Sequence, residues 1–160
     1  MKKVFCTFVV ASAGIYIFIL YYVLFAMSGR EMVIVSESMF DTFNYWNAVN
    51  LIPFKTIMEY IADIADGGSK GHAIRNLLGN LLLFFPMGFY IPFFLKKTGK
   101  IGAYSMIMAT AIIVIEIIQL ATKSGSLDID DFILNFAGAL TGFFIFTCTP
   151  VRRLLKLRAW

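Results

Sequence analysis

Apolar residues run without a charge from Val4 to Met27, and three further predominantly apolar stretches follow at Ile74 to Leu95, Ile101 to Leu120 and Phe132 to Thr149. Each approaches the roughly 20 residues that a helix needs to cross a bilayer core. The pattern predicts four transmembrane helices at about 4–27, 74–95, 101–120 and 132–149, joined after the first by a long loop over 28–73. Within that loop the pattern changes at Pro53. Phe54, Ile57, Met58, Ile61 and Ile64 recur at helical spacing, with Lys55, Glu59, Asp63 and Asp66 between them, which predicts a short helix lying in the membrane interface. Gly67-Gly68-Ser69-Lys70-Gly71 ends it. Arg30 to Tyr45 carries no decisive period, and residues 30–52 are left without an assigned element. Pro86 and Pro92 fall inside the second span and predict a kink there. The turns Lys96 to Lys100 and Ala121 to Asp130 are short, so the helices they join are expected to be antiparallel neighbours. The fold class is all-α: a polytopic membrane protein with four transmembrane helices and an external interfacial helix, a single domain over residues 1–160.

Composition excludes the usual soluble globular domain, because 59% of the 160 residues are hydrophobic and 15% charged, with a mean hydropathy of +0.79. Lys2 and Lys3 with Ala11-Ser12-Ala13 resemble a cleaved signal peptide, but the apolar run continues through Gly14 to Leu20, which favours a retained helix. Charge then sets the orientation. If the four runs span alternately, Lys2, Lys3, Lys96, Lys97, Lys100, Arg152, Arg153, Lys156 and Arg158 share one side, cytoplasmic by the positive-inside rule. The acids Glu31, Glu37, Asp41, Glu59, Asp63, Asp66, Asp128, Asp130 and Asp131 fall on the other. Both termini are expected in the cytoplasm. The net charge of +4 predicts no nucleic-acid partner, because these bases line the cytoplasmic membrane border, where they meet anionic lipid. Cys6 and Cys148 have no metal-ligand or redox spacing and read as packing residues.

Candidate chemistry starts at Glu116. A charge at bilayer depth costs about 2.5 to 3.5 kcal/mol even on permissive insertion scales, so an intramembrane carboxylate needs partners and marks a site by default. At ~1.5 Å per residue it lies roughly 7 Å below the outer end of the third span, with Gln119 three residues on. His72, Asn76 and Asn80 form one stripe on the second span, and Arg75 stands at its mouth. Asp131, Asn135, Gly138 and Gly142 form one on the fourth, placing Asn135 about 6 Å deep. Gly138-Ala139-Leu140-Thr141-Gly142 is a small-xxx-small pattern that lets another backbone approach, which makes this the packed face. Simpler accounts stand beside the functional one. The asparagines suit interhelical hydrogen bonding, Asp128 and Asp130 suit a helix N-terminus, and His72 suits the interface.

Asn50-Leu51-Ile52-Pro53-Phe54, Gly79-Asn80 followed by Phe85-Pro86-Met87-Gly88, Glu116-Ile117-Ile118-Gln119, and Asp128-Ile129-Asp130-Asp131-Phe132-Ile133-Leu134-Asn135-Phe136-Ala137-Gly138 together resemble the VanZ-like family of small multi-pass bacterial membrane proteins. The resemblance covers about two thirds of the chain. It implies a role at the bacterial cell surface and an association with low-level resistance to the lipoglycopeptide teicoplanin, without a settled biochemical activity. Family members tend to carry an arginine just before the Asp-rich stretch. Here Gly125 stands there and the nearest base is Lys123, so no role for a cation at that point carries over.

Three functional classes follow. The first is a plasma-membrane protein with an outward-facing polar pocket for a lipid-linked cell-wall precursor, a membrane lipid or a lipoglycopeptide. Glu116, Asp131, Asn135 and Asn80 supply its polar groups, Gln119 and Asn76 support them, and Arg75 contacts phosphate or carboxylate. The second is an intramembrane enzyme acting on a lipid phosphate or glycolipid, with a divalent cation on Glu116, Asp128, Asp130 and Asp131. Against it, the sequence pairs no nucleophile with a base, and no cofactor is expected. The third is a scaffold or homo-oligomer using Gly138 to Gly142 as a dimer face.

Overall fold

The computed structural model describes residues 2–27, 49–67, 70–95, 98 and 100–148. The loop residues Glu31, Glu37 and Asp41, the turn bases Lys96 and Lys97, the tail bases from Arg152 to Arg158 and the side chain of Cys148 lie outside the described residues. The elements in order are α1 (Lys2–Tyr21), which passes into a π-helical turn (Tyr22–Met27), β1 (Val49–Asn50), α2 (Lys55–Ala65), α3 (Lys70–Leu83), α4 (Met87–Phe94), α5 (Ile101–Ala121), β2 (Leu127–Asp128) and α6 (Ile129–Cys148). The two short strands pair. Four helical stretches are long and apolar enough to cross a membrane: Lys3–Ala26, Lys70–Phe94, Ile101–Ala121 and Ile129–Thr147.

Two boundaries differ from the sequence expectation. The second span starts at Lys70 and the fourth at Ile129, because Gly71 is absorbed into the helix and Asp130 and Asp131 occupy the first turn of α6, where the helix dipole favours acids. The break lies at Pro86, the first of the two prolines, whereas Pro92 stays inside α4. α3 stops at Leu83 and α4 begins at Met87, with Pro86, which has no N–H to give, between them. The amides of Phe85 and Met87 turn back to the carbonyls of Leu82 and Phe84 instead, at 3.3 and 3.0 Å.

The chain forms two compact units, Met1–Val49 with Ile117–Leu127, and Asn50–Glu116 with Asp128–Trp160. In the first, Val9, Ala13, Leu20 and Leu24 are buried, while Phe8, Ile15, Phe18 and Tyr21 stay exposed, as expected of a helix facing hydrocarbon. The C-terminal end of α5 closes in a Schellman arrangement. Ser124 N–H reaches the Gln119 carbonyl at 2.9 Å and Lys123 N–H the Leu120 carbonyl at 3.2 Å, with Lys123 left-handed at φ 55° where glycine is usual.

In the second unit α6 packs on the kinked pair α3 and α4, and the contact is backbone on backbone. Gly138 lies against the Leu81 carbonyl, and a Cβ there would also come within 2.8 Å of its carbon. Gly142 lies against the Phe85 carbonyl, and Gly88 against the backbone of Gly142 and Phe143. The small-residue stripe is thus occupied within the chain. α5 contributes Tyr104, Met108, Ile112 and Glu116, one buried residue per turn. Tyr104 anchors this stripe by donating its hydroxyl to the Ala139 carbonyl at 3.0 Å while stacking on Phe143, ring centroids 4.4 Å apart.

This packing separates glycines by consequence. Gly138→Ala and Gly142→Ala push a methyl into carbonyl groups that cannot yield, so each is expected to destabilise by about 3 kcal/mol or more. Gly102→Ala, in open space, is expected to be neutral or to gain about 0.5 to 1 kcal/mol. Thermal unfolding of the detergent-solubilised protein checks this; equal stability of the three variants would contradict the close approach.

Candidate functional site

The start of α6 brings three acids together, Asp128 just before it and Asp130 and Asp131 in its first turn, and each meets a different environment. Asp128 is the residue before the helix and caps it: Oδ1 accepts the Asp130 N–H at 2.8 Å. The same oxygen accepts from Asn50 Nδ2 at 3.2 Å, and Oδ2 accepts from the Thr56 hydroxyl at 2.6 Å. Asp130, with none of its surface exposed, turns the opposite way and caps a second helix. Its Oδ1 accepts the Phe54 N–H at 2.5 Å and its Oδ2 the Ile57 N–H at 3.1 Å, so one carboxylate fills the open amides at the start of α2. Phe54 itself is left-handed at φ 66°. A non-glycine residue in that region costs of order 1 to 3 kcal/mol and persists where its surroundings over-determine it; the Asp130 carboxylate is that constraint.

Asp131 points to α3, where Asn80 Nδ2 donates to its Oδ1. Glu116 lies close enough to Asp131 and Asp128 for their charges to act on it, and its carboxylate takes a hydrogen bond from the Asp128 backbone. Among the described residues its buried Oε2 meets no partner, and neither does Oδ1 of Asn135. The two residues are 6% and 3% exposed. Asn135 stands one turn beyond Asp131 on the same face of α6, about 6 Å along the axis. Two hydrogen-bond acceptors therefore stand unsatisfied at the site, in a class of buried groups that is otherwise nearly always paired.

At the α2 edge, Asn76 Nδ2 donates to the Tyr60 hydroxyl at 3.0 Å and lies 3.1 Å from His72 Nε2. The His72 ring meets Tyr60 edge-on, centroids 5.9 Å apart. Arg75 and His72 are exposed. Gln119 belongs to the other unit, where its Nε2 donates to the Leu24 carbonyl at 3.0 Å. Thus the second unit brings Glu116, Asp131 and Asn80 together with Asp128 and Asp130, and carries Asn135 one turn further along α6. Gln119 is engaged elsewhere. Among the described residues, no group of three or more His, Cys, Asp and Glu side chains is placed to hold a metal ion.

Compared with known families, the chain matches the VanZ/LLP1 family model over residues 13–152. It belongs to that family. No curated protein and no solved structure matches it. As a VanZ/LLP1 member with four apolar helices it is a multi-pass membrane protein.

Residues of this VanZ/LLP1 chain that sequence reasoning passed over are Asn50, Thr56 and Tyr60. Asn50 was visible only as part of the Asn50-to-Phe54 motif. Its side chain also accepts the Ile52 N–H at 3.2 Å, a local Asx turn that an Asn two residues ahead of an Ile-Pro pair can signal. Thr56 and Tyr60 are spaced i, i+4 on one face of α2, a pairing that the apolar and charged pattern of that helix left in the background.

Two predictions test this geometry. Losing the Asp130 cap costs roughly 1 to 2 kcal/mol, so Asp130→Ala should accelerate amide hydrogen exchange at Phe54 and Ile57 about tenfold, whereas Asp131→Ala should not; equal protection in Asp130→Ala would show that the cap does not hold α2. The second concerns Tyr60, outside the spanning helices. Burial raises its pKa, the Asp131, Asp128 and Glu59 charges add to this, and the Asn76 hydrogen bond opposes it. The neutral phenol is thus favoured by folding, and that stability is complete below the ordinary value of 10.0 and lost as pH rises through the higher folded value. The phenolate absorbance missing from Tyr60→Phe, by difference with the native protein, should appear later in an alkaline titration than that of free tyrosine.

Proposed function

We propose that this chain is a plasma-membrane protein whose polar site forms a pocket facing the outer leaflet, where it binds an envelope ligand at headgroup level and so contributes to glycopeptide resistance of the teicoplanin type. The ligand is a lipid-linked cell-wall precursor, a membrane lipid or a lipid-tailed glycopeptide. The observation that carries the reading is the pair of unpartnered buried acceptors, Glu116 Oε2 and Asn135 Oδ1. Leaving a buried polar group unmet costs about 1 to 3 kcal/mol, more for a charge, and a bound ligand with donors removes that cost. Nine of the 14 bases on one side of the membrane, with the loop acids on the other, support an outward-facing pocket with both termini cytoplasmic.

Binding is favoured over catalysis because Asp128 and Asp130, needed for a four-carboxylate cation site, are already committed to α2 and to the N-terminus of α6. It is favoured over a scaffold role because Gly138 and Gly142 are covered by α3 and the turn that follows it.

The test is binding of labelled teicoplanin, lipid-linked precursor and phospholipid to the purified protein and to Glu116→Gln. A charged hydrogen bond contributes about 1.5 to 3 kcal/mol, so the variant should bind its ligand at least tenfold more weakly and cells carrying it should lose teicoplanin tolerance at unchanged protein level. A cysteine at Ser126 should label from outside intact cells and one at Lys100 should not. Unaltered binding by Glu116→Gln, or the reverse labelling, would remove the pocket as drawn.

A further inference from the structure

Among the described residues, the charged groups acting on Glu116 are Asp131 and Asp128, and those acting on Asp131 are Asp128 and Asp130, all of them acids. Hydrogen bonds from Asn80, Asn50, Thr56 and backbone amides reach Asp131, Asp128 and Asp130, but none carries a positive charge. Negative charge accumulated away from water is relieved by a proton or by a cation, and the acceptors call for donors in either case. A divalent ion would need six or more oxygens, and the described residues offer no ligand cluster of three. Two acceptor atoms remain open among the described residues, Glu116 Oε2 and Asn135 Oδ1, each on a residue more than nine-tenths buried.

A group that supplies one positive charge and at least two N–H donors fits this requirement. A phosphate does not, because it brings only acceptors and negative charge to a site that has both in excess. A quaternary ammonium has the charge without the donors. Resting on the pocket reading above, we propose that the ligand is held through a primary ammonium, such as the aminoethyl end of a phospholipid headgroup, which gives one N–H to Glu116 Oε2 and one to Asn135 Oδ1. The exposed apolar residues Phe54, just before α2, and Met58 and Ile61 on it, at a helix start fixed to the same cluster by Asp130, supply an apolar border suited to the rest of a lipid.

The N-methyl series of phosphatidylethanolamine tests the donor count at constant charge. It offers three, two, one and no N–H groups from the unmethylated lipid to phosphatidylcholine. The full chain is reconstituted in bilayer discs containing the four lipids in equal amounts with phosphatidylglycerol, and the lipids retained are read by native mass spectrometry. Retention is expected to hold through the monomethyl lipid, fall about tenfold at the dimethyl lipid and fall further at phosphatidylcholine. Asn135→Leu removes one acceptor and should shift the fall by one methyl group, so that the dimethyl lipid is kept as well as the monomethyl. A merely structural role for Asn135 would lower all four together. Glu116→Gln should abolish the preference, and Gly102→Ala should leave it intact. Ethylammonium added in solution separates the two sources of the group: competition identifies a free amine, and its absence a lipid headgroup. Equal retention along the series overturns the proposal, as it would if water or a proton on Glu116 satisfied both acceptors. Preferential retention of phosphatidylglycerol that Glu116→Gln loses also overturns it, while leaving the pocket standing. No retained lipid, together with no binding in the assay of the preceding section, removes both.

Discussion

The backbone of α6 approaches the carbonyls of Leu81 and Phe85 so closely that no side-chain atom fits between them, and the geometry of the polar site depends on that approach. Once Gly138 and Gly142 fix α6 against α3 and the turn after it, the residues one and two turns earlier on the same face, Asn135 and Asp131, are set opposite α3. Asn80 then meets Asp131 directly. Small residues do this work in a membrane because helices there gain little from hydrophobic association and must rely on close contact.

Polar satisfaction then divides the acids by role. Asp128 and Asp130 are saturated by Asn50, Thr56 and backbone amides and act as architecture. Asp131 and Glu116, on the other side of that first turn, keep fewer partners and more charge. Chemistry follows from this asymmetry: adjacent carboxylates in a single helical turn are distinguished only by the direction in which each leaves the helix.

The fold was largely legible, because four apolar runs, one amphipathic period after Pro53 and two prolines each act locally. Helical rise sets Glu116, Asn80 and Asp131 at a similar height in the sequence, and Asn80 does meet Asp131, with Glu116 within reach of its charge. What sequence did not reveal was which acid meets which partner. Asp130 binds backbone amides of Phe54 and Ile57, and a main-chain donor has no residue signature. The left-handed Phe54 is similarly hidden, since nothing about phenylalanine advertises that conformation. Gln119, grouped with Glu116 by spacing, lies about 60° around the helix from it, enough to bring its amide to a different neighbour, Leu24.

Two of the long-range tethers, Gln119 to Leu24 and Tyr104 to Ala139, end on main-chain carbonyls. Every amino acid supplies that acceptor. Replacing Leu24 or Ala139 changes packing but leaves the oxygen in place, so the donor side alone carries the sequence information for each tether. Such contacts tolerate drift at one end and are sensitive at the other, and a substitution survey would register Tyr104 and Gln119 as isolated requirements with no visible counterpart.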